Sequence, residues 1–206
     1  MTSHTIRLDA LHQITGRPKE ALKNTIKNGN APWDDSEFPE GQRRQYSAFH
    51  ALTLVIAEGL MAQGCTIPLS AEFIRAHAQA INLFLDEVSA GKNITPRYVL
   101  ALQRAVWDSW TGSQWEPVIL FGTGTAKEVA DAYAGTLSEV GTESETRDGR
   151  SERRTIGGPW AATVSIPEMY RLLRQRAEAK GYLVDGRNIH KVADEAQDEA
   201  EAEESL

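Results

Sequence analysis

ITGRPKEALKNTIKNG, Ile14 to Gly29, is the stretch that decides how this chain is read. Thr15-Gly16-Arg17 interrupts a helix, and Pro18 suits the first turn of the next one, where its missing N–H costs nothing. Upstream, Leu8, Leu11 and Ile14 recur every three residues and form one face of a short helix. Downstream, Ala21, Leu22 and Ile26 supply a buried stripe, and Asn28-Gly29 supplies a stop. Two short helices across a tight turn make a helix-turn-helix pattern.

The second of these helices is basic on its outer side. Lys19, Lys23 and Lys27 lie four residues apart and therefore line one face, with Asn24 beside them and Arg17 in the turn. In a major groove such a helix puts Lys23 and Asn24 near base edges and the other cations near phosphates. Pro32 and Trp33 leave the helix, Asp34 to Gly41 is turn-like, and Gln42 to Tyr46 returns as a strand. Arg43 and Arg44 then sit at a hairpin tip, where long cations reach a phosphate or a minor groove.

The charge of the whole chain seems to oppose this. It is −7, but the chain's acidic residues are unevenly placed. Of 29, seven fall between Asp194 and Leu206, leaving 22 against 22 lysines and arginines. The sign of the total thus says nothing about partners. Hydrophobic residues at 41% and charged ones at 25% describe a globular chain able to bury a core. The single cysteine, Cys65, excludes an intramolecular disulfide framework and any metal site built on several thiols. No apolar run has the length of a signal peptide or a membrane span, so a cytoplasmic location is expected.

Beyond the basic helix, Ser47 caps AFHALTLVIAEGLMAQG, a helix apolar on most sides, which is either buried from several directions or paired with another chain. Ser70 opens AEFIRAHAQAINLFLDEVSAG, read as one helix with a stripe of Phe73, Ile74, Ile81, Phe84, Leu85 and Val88. Ala48–Met61 and Ala71–Val88 are the dimerisation candidates. RYVLALQRAV reads as strand or helix, PVILFGTG as a buried strand before a helical AKEVADAYAG, and Glu139 to Arg154 as an exposed loop. GPWAATVSI is strand-like, and PEMYRLLRQRAEAKG is a helix from Pro167 to Gly181. The fold class is mainly α with a small β component. Three regions are expected: 1–90, a winged helix-turn-helix with a helical dimerisation region; 91–183, a small α+β module; and 184–206, a disordered acidic tail.

These pieces, in this order, resemble the DNA-binding domain of MerR-type regulators. The resemblance rests on Thr15-Gly16, the exit from Gly29 to Pro32, Arg44-Gln45-Tyr46-Ser47, Gln63-Gly64 and Ser70 to Ile74, and covers roughly residues 6 to 90. It implies a winged helix-turn-helix on double-stranded DNA as a two-fold dimer, with Arg17, Lys19, Lys23, Asn24, Arg43, Arg44 and Tyr46 at or near the contact. The basic face adds Lys27. KNTIK stands where that family carries an aromatic-rich segment, and its cysteine metal site is missing, which points away from metal sensing. Phage excisionases share the winged core.

The expected function is a homodimeric, sequence-specific transcription regulator on a palindromic site. The alternative is a phage-type architectural protein, an excisionase or a small terminase subunit. RNA polymerase, a small molecule or a protein effector are the further partners considered, the last two at residues 94–183, where Trp107, Trp110, Trp115 and Trp160 suit a pocket or a core. No nucleophile, base and orienting group assemble into a catalytic set, so no enzyme, cofactor or metal is expected. FGTGTAKEV lacks the third glycine and the Lys-Ser/Thr of a phosphate loop, and reads as an ordinary strand-to-helix turn. Cys65, His50 and His77 read as packing residues.

Overall fold

A computed structural model describes residues 5–39, 41–92, 99–105, 118–124, 143–147, 150–154 and 161–192. The described chain is mainly helical with a smaller antiparallel β component. The helices are α1 (Leu8–Thr15), α2 (Lys19–Lys27), α3 (Ala48–Ala62), α4 (Ile67–Ala76), α5 (Ala78–Ser89) and α6 (Ile166–Glu178). The strands are β1 (Val99–Ala105), β2 (Val118–Gly124), β3 (Glu143–Arg147), β4 (Arg150–Arg154), β5 (Ala161–Ser165), β6 (Tyr182–Asp185) and β7 (Asn188–Lys191). No helix among the described residues is long and apolar enough to cross a membrane.

α3 is the centre of the core. Every residue from Ala48 to Ala57 is buried, as is Leu60, because α1, α4, α5, α6 and β5 all pack against it. The apolar surface of α3 from Ala48 to Ala57 is therefore covered within its own chain. The expected single helix through residues 71–91 is broken at His77, with φ −108° and ψ 14°. There the His77 N–H is shared between the Phe73 and Ile74 carbonyls (3.2 and 3.1 Å), ending α4 before α5 begins. The break re-aims α5, so that Phe84 meets Tyr170 of α6 edge-on at 5.5 Å while Phe73 and Ile74 keep their places in the core.

The core does not stop at residue 90. Ile166, Tyr170, Leu173 and Ala177 of α6 and Val184 and Ile189 of the β6–β7 hairpin belong to the same buried cluster as α1 to α5. Full burial of Ile166 and Leu173 contributes roughly 1.5–3 kcal/mol apiece. The half-exposed ion pair Arg176–Glu58 (2.6 Å), linking α6 to α3, adds at most about 1 kcal/mol. Apolar burial thus places α6, and the pair fixes its register, helped by Arg176 donating to the Thr15 carbonyl at 3.0 Å.

Strand β1 lies between β2 and β5, antiparallel to both, which makes the Val99–Ala105 part of RYVLALQRAV a strand. Residues 143–147 and 150–154 are not a loop. They pair as β3–β4 with Arg147 opposite Arg150. Backbone pairing needs no apolar pattern, and the Asp148-Gly149 dipeptide was the available hairpin signal. The expected tail likewise begins too early. Residues 184–191 complete β6–β7, turning at Gly186 with φ 54°. A Cβ at Gly186 would come within 2.8 Å of Ser89 Cβ, so only glycine lets the hairpin close onto α5. Helix AKEVADAYAG, the four tryptophans Trp107, Trp110, Trp115 and Trp160, and the acidic residues from Asp194 onward lie outside the described residues.

Candidate nucleic-acid interface

The connection between α1 and α2 is held from inside. Gly16 ends α1 in the left-handed region (φ 74°), and Pro18 enters α2 extended. Leu11, Ile14 and Leu22 are fully buried, and Thr15 donates back to the Leu11 carbonyl at 2.8 Å. Burying this side of α2 leaves Lys23, Asn24, Lys27 and Asn28 exposed on the other. The exit from α2 is braced by Arg75 of α4, whose Nη1 donates to the Gly29 and Ala31 carbonyls (3.2 and 2.9 Å).

The eight expected contact residues fall into three groups. Asn24, Lys27 and Arg43 are exposed, and none of them has an ion pair or side-chain hydrogen bond among the described residues. Lys19, Lys23 and Arg44 are each engaged by a carboxylate. Lys19 pairs with Asp9 of α1, Lys23 with Glu20 (2.6 Å), and Arg44 with both oxygens of Asp35 (2.8 and 2.7 Å). The hydrogen bond to Asp9 raises the Lys19 pKa and lowers that of Asp9. Exposed pairs of this kind are weak in water and are displaceable by a phosphate. The Arg44 pair is the firmest, being bidentate and stacked over Phe38 with the guanidinium carbon 5.2 Å from the ring centre.

Arg17 and Tyr46 form the third group, and both depart from expectation. Arg17 folds back so that Nη2 lies 3.3 Å from Met61 Sδ, and burial lowers its pKa while Glu58 opposes the shift. Tyr46 is 2% exposed and cannot be a surface contact. Its backbone exchanges two 2.8 Å hydrogen bonds with Ile6, and its ring meets Trp33 and Phe38 with centres 5.7 and 5.4 Å away. That isolated bridge replaces the strand expected over residues 42–46. Gln42 to Gln45 carry no apolar side chain that would dock them on a partner, whereas the Tyr46 ring does.

His50 completes the aromatic cluster under this loop. Rings of Trp33, Phe38, Tyr46 and Phe49 lie 5.0 to 5.7 Å from it. The Ser47 N–H donates to His50 Nδ1 at 3.0 Å, so in the neutral ring the proton sits on Nε2. Nε2 is buried without a hydrogen bond among the described residues, and the Glu37 carboxylate at 3.6 Å is too distant to accept one. Burial pulls the His50 pKa down to about 4. Cys65 is buried and burial raises its thiol pKa, as befits a packing residue.

Three grooves border this region. One, of about 440 Å³ beside Trp33, carries the carboxylates of Asp34, Asp35 and Glu37. Another, of about 380 Å³, includes Asp9 alongside Tyr182 and His190. The third, about 430 Å³ between α2 and the start of α4, is lined by Arg17, Ala21, Asn24, Asn28, Asn30 and Ile67 among others, with no carboxylate among the described residues. Asn28, Asn30 and Ile67 were not singled out from the sequence. Ile67, the first residue of α4 and followed by a proline, is 42% exposed. No family model matches the chain, and no curated protein matches it.

Proposed function

We propose that this protein is a sequence-specific, double-stranded DNA-binding regulator. In this reading α1 and α2 form a helix-turn-helix, and the Asp34–Gln45 loop acts as its wing. The observation that carries it is the exposed Asn24–Lys27 face of α2 standing next to a groove free of carboxylates. A polyanion meets Lys27 and amides there, and no carboxylate lines the groove among the described residues. Arg43 supplies a further unpaired cation from the wing, and Arg44 does so once its Asp35 pair yields to a phosphate. Tyr46 and His50 hold the wing against the core instead of touching DNA.

Two chains per palindromic site are part of the proposal, with α5, which keeps Leu83 52% exposed, as the remaining candidate surface of the helical region. A dimer engaging about eight phosphates gives a log–log salt slope near −7. The test is site selection from a randomised duplex library, followed by binding titrations against salt. Lys27→Ala should weaken all sequences alike and reduce the slope by about 2, one phosphate per chain. Lys23→Ala/Asn24→Ala should blur the selected sequence. A wild type that enriches no sequence and shows no salt dependence would sink the proposal.

A further inference from the structure

We propose that the groove between α2 and the start of α4 reads A·T base pairs. This rests on the DNA-binding reading above and deepens it by naming the base pair. Besides Arg17 and Thr25, the groove's polar side chains are amides: Asn24 of α2, Asn28 at its C-terminal cap four residues on, and Asn30 just beyond. None of the three has a side-chain hydrogen bond among the described residues, so their donors and acceptors are available to a ligand. Thr25, also in the groove, spends its hydroxyl on the Ala21 carbonyl at 2.9 Å.

The chemistry of the lining discriminates among bases. An amide offers one donor and one acceptor side by side, which matches adenine N7 and N6–H₂ in the major groove. Guanine presents two acceptors, N7 and O6, and needs two donors from one cation. The one cation lining the groove is Arg17, and its guanidinium is turned onto Met61 Sδ at 3.3 Å. Cytosine presents an N4–H₂ donor that a carboxylate would accept, and no carboxylate lines the groove. Thymine presents a C5-methyl group, and Ala21 and Ile67 offer an apolar surface for it. Ile67 is among the few large apolar side chains exposed in the described chain, so its surface is open to a thymine methyl.

The full-length protein is tested on its own selected duplex, with each thymine replaced in turn by uracil, which removes only the methyl group. At one or more positions the wild type should lose about four-fold in affinity, the equivalent of one buried methyl at about 0.8 kcal/mol. The Ile67→Ala variant should bind thymine and uracil duplexes there equally. Asn24→Ala and Asn28→Ala should lose the preference for A·T over G·C by about ten-fold or more at the neighbouring pair. Ile67 is exposed, so thermal denaturation should show Ile67→Ala folded like the wild type. A wild type that binds duplex DNA yet selects G·C beside α2, or for which uracil substitution changes nothing that Ile67 controls, overturns this inference and leaves DNA binding standing. A wild type that binds no duplex at all overturns the underlying reading and this one with it.

Discussion

Lowering the pH from 7.5 to 4 should destabilise the protein through His50, and Gln at this position should remove that dependence. The imidazole is neutral in the folded state because burial pulls its pKa from 6.5 to about 4. The unfolded chain binds a proton at the ordinary value, so between these limits unfolding takes up a proton and acid favours it. The stability is fully present above about pH 6.5, declines through the window, and is fully lost below about pH 4. Each pH unit is about 1.4 kcal/mol, so the whole effect is on the order of 3 kcal/mol. The side chains packed around the ring are Trp33, Phe38, Tyr46 and Phe49, which carry no charge, and Glu37, 3.6 Å from Nε2. Pairing of Glu37 with a charged ring would reduce the loss. Gln suits the comparison because its side chain also accepts the Ser47 N–H as the third residue of a capping box. Urea denaturation of both proteins from pH 7.5 to 4.5 measures the difference. Asp9, Glu20, Asp34 and Asp86, whose lowered pKa values also favour folding above their range, are common to both proteins and cancel. Parallel curves for wild type and His50→Gln would refute the reasoning. A gap that closes toward acid pH would support it, and DNA binding should weaken over the same range because this ring cluster carries the wing.

Other substitutions test other links. Tyr46→Ala should cost about 3–5 kcal/mol in urea denaturation by emptying a core position, while Tyr46→Phe should change DNA affinity less than about two-fold. A large effect of Tyr46→Phe would restore it as a contact residue. Asp35→Asn should raise DNA affinity at low salt, since it frees the Arg44 guanidinium from a bidentate carboxylate; unchanged binding would show that Arg44 does not reach DNA. Gly186→Ala should lower thermal stability by about 1–3 kcal/mol, from the left-handed φ of 54° and the clash with Ser89. Ser89→Gly in the same chain should recover part of it, and a neutral Gly186→Ala would contradict the packing of the hairpin on α5.

The helices of the first 90 residues were legible because their signals are local. Gly16 and Pro18 bracket a turn, Leu11, Ile14 and Leu22 recur on one face, and Asn28-Gly29 ends α2. The break at His77 was not legible, because the apolar stripe runs through it; beyond the break Phe84 of α5 packs on Tyr170 of α6. The same holds for β6–β7. Asp185-Gly186 marked a turn, but the value of Val184 and Ile189 as core residues depended on α5 and α6 being there to cover them. Cross-chain distance also hid Ile67, whose surroundings come from α2, some 40 positions earlier in the sequence.

Charge was legible as composition and not as availability. Along the chain Lys19, Lys23, Lys27, Arg43 and Arg44 all read as free cations, with Lys23 near base edges and the rest near phosphates or a minor groove. Packing set them apart: Asp9 and Asp35 were brought to Lys19 and Arg44 from other segments, and Lys27 and Arg43 were left unpaired among the described residues. The sequence by itself determined the bounds of α1, α2 and α3, since caps, glycines and periodicity act within a few residues. Only the tertiary structure decided which cations face solvent and that Tyr46 is core, because those depend on side chains brought together from distant parts of the chain.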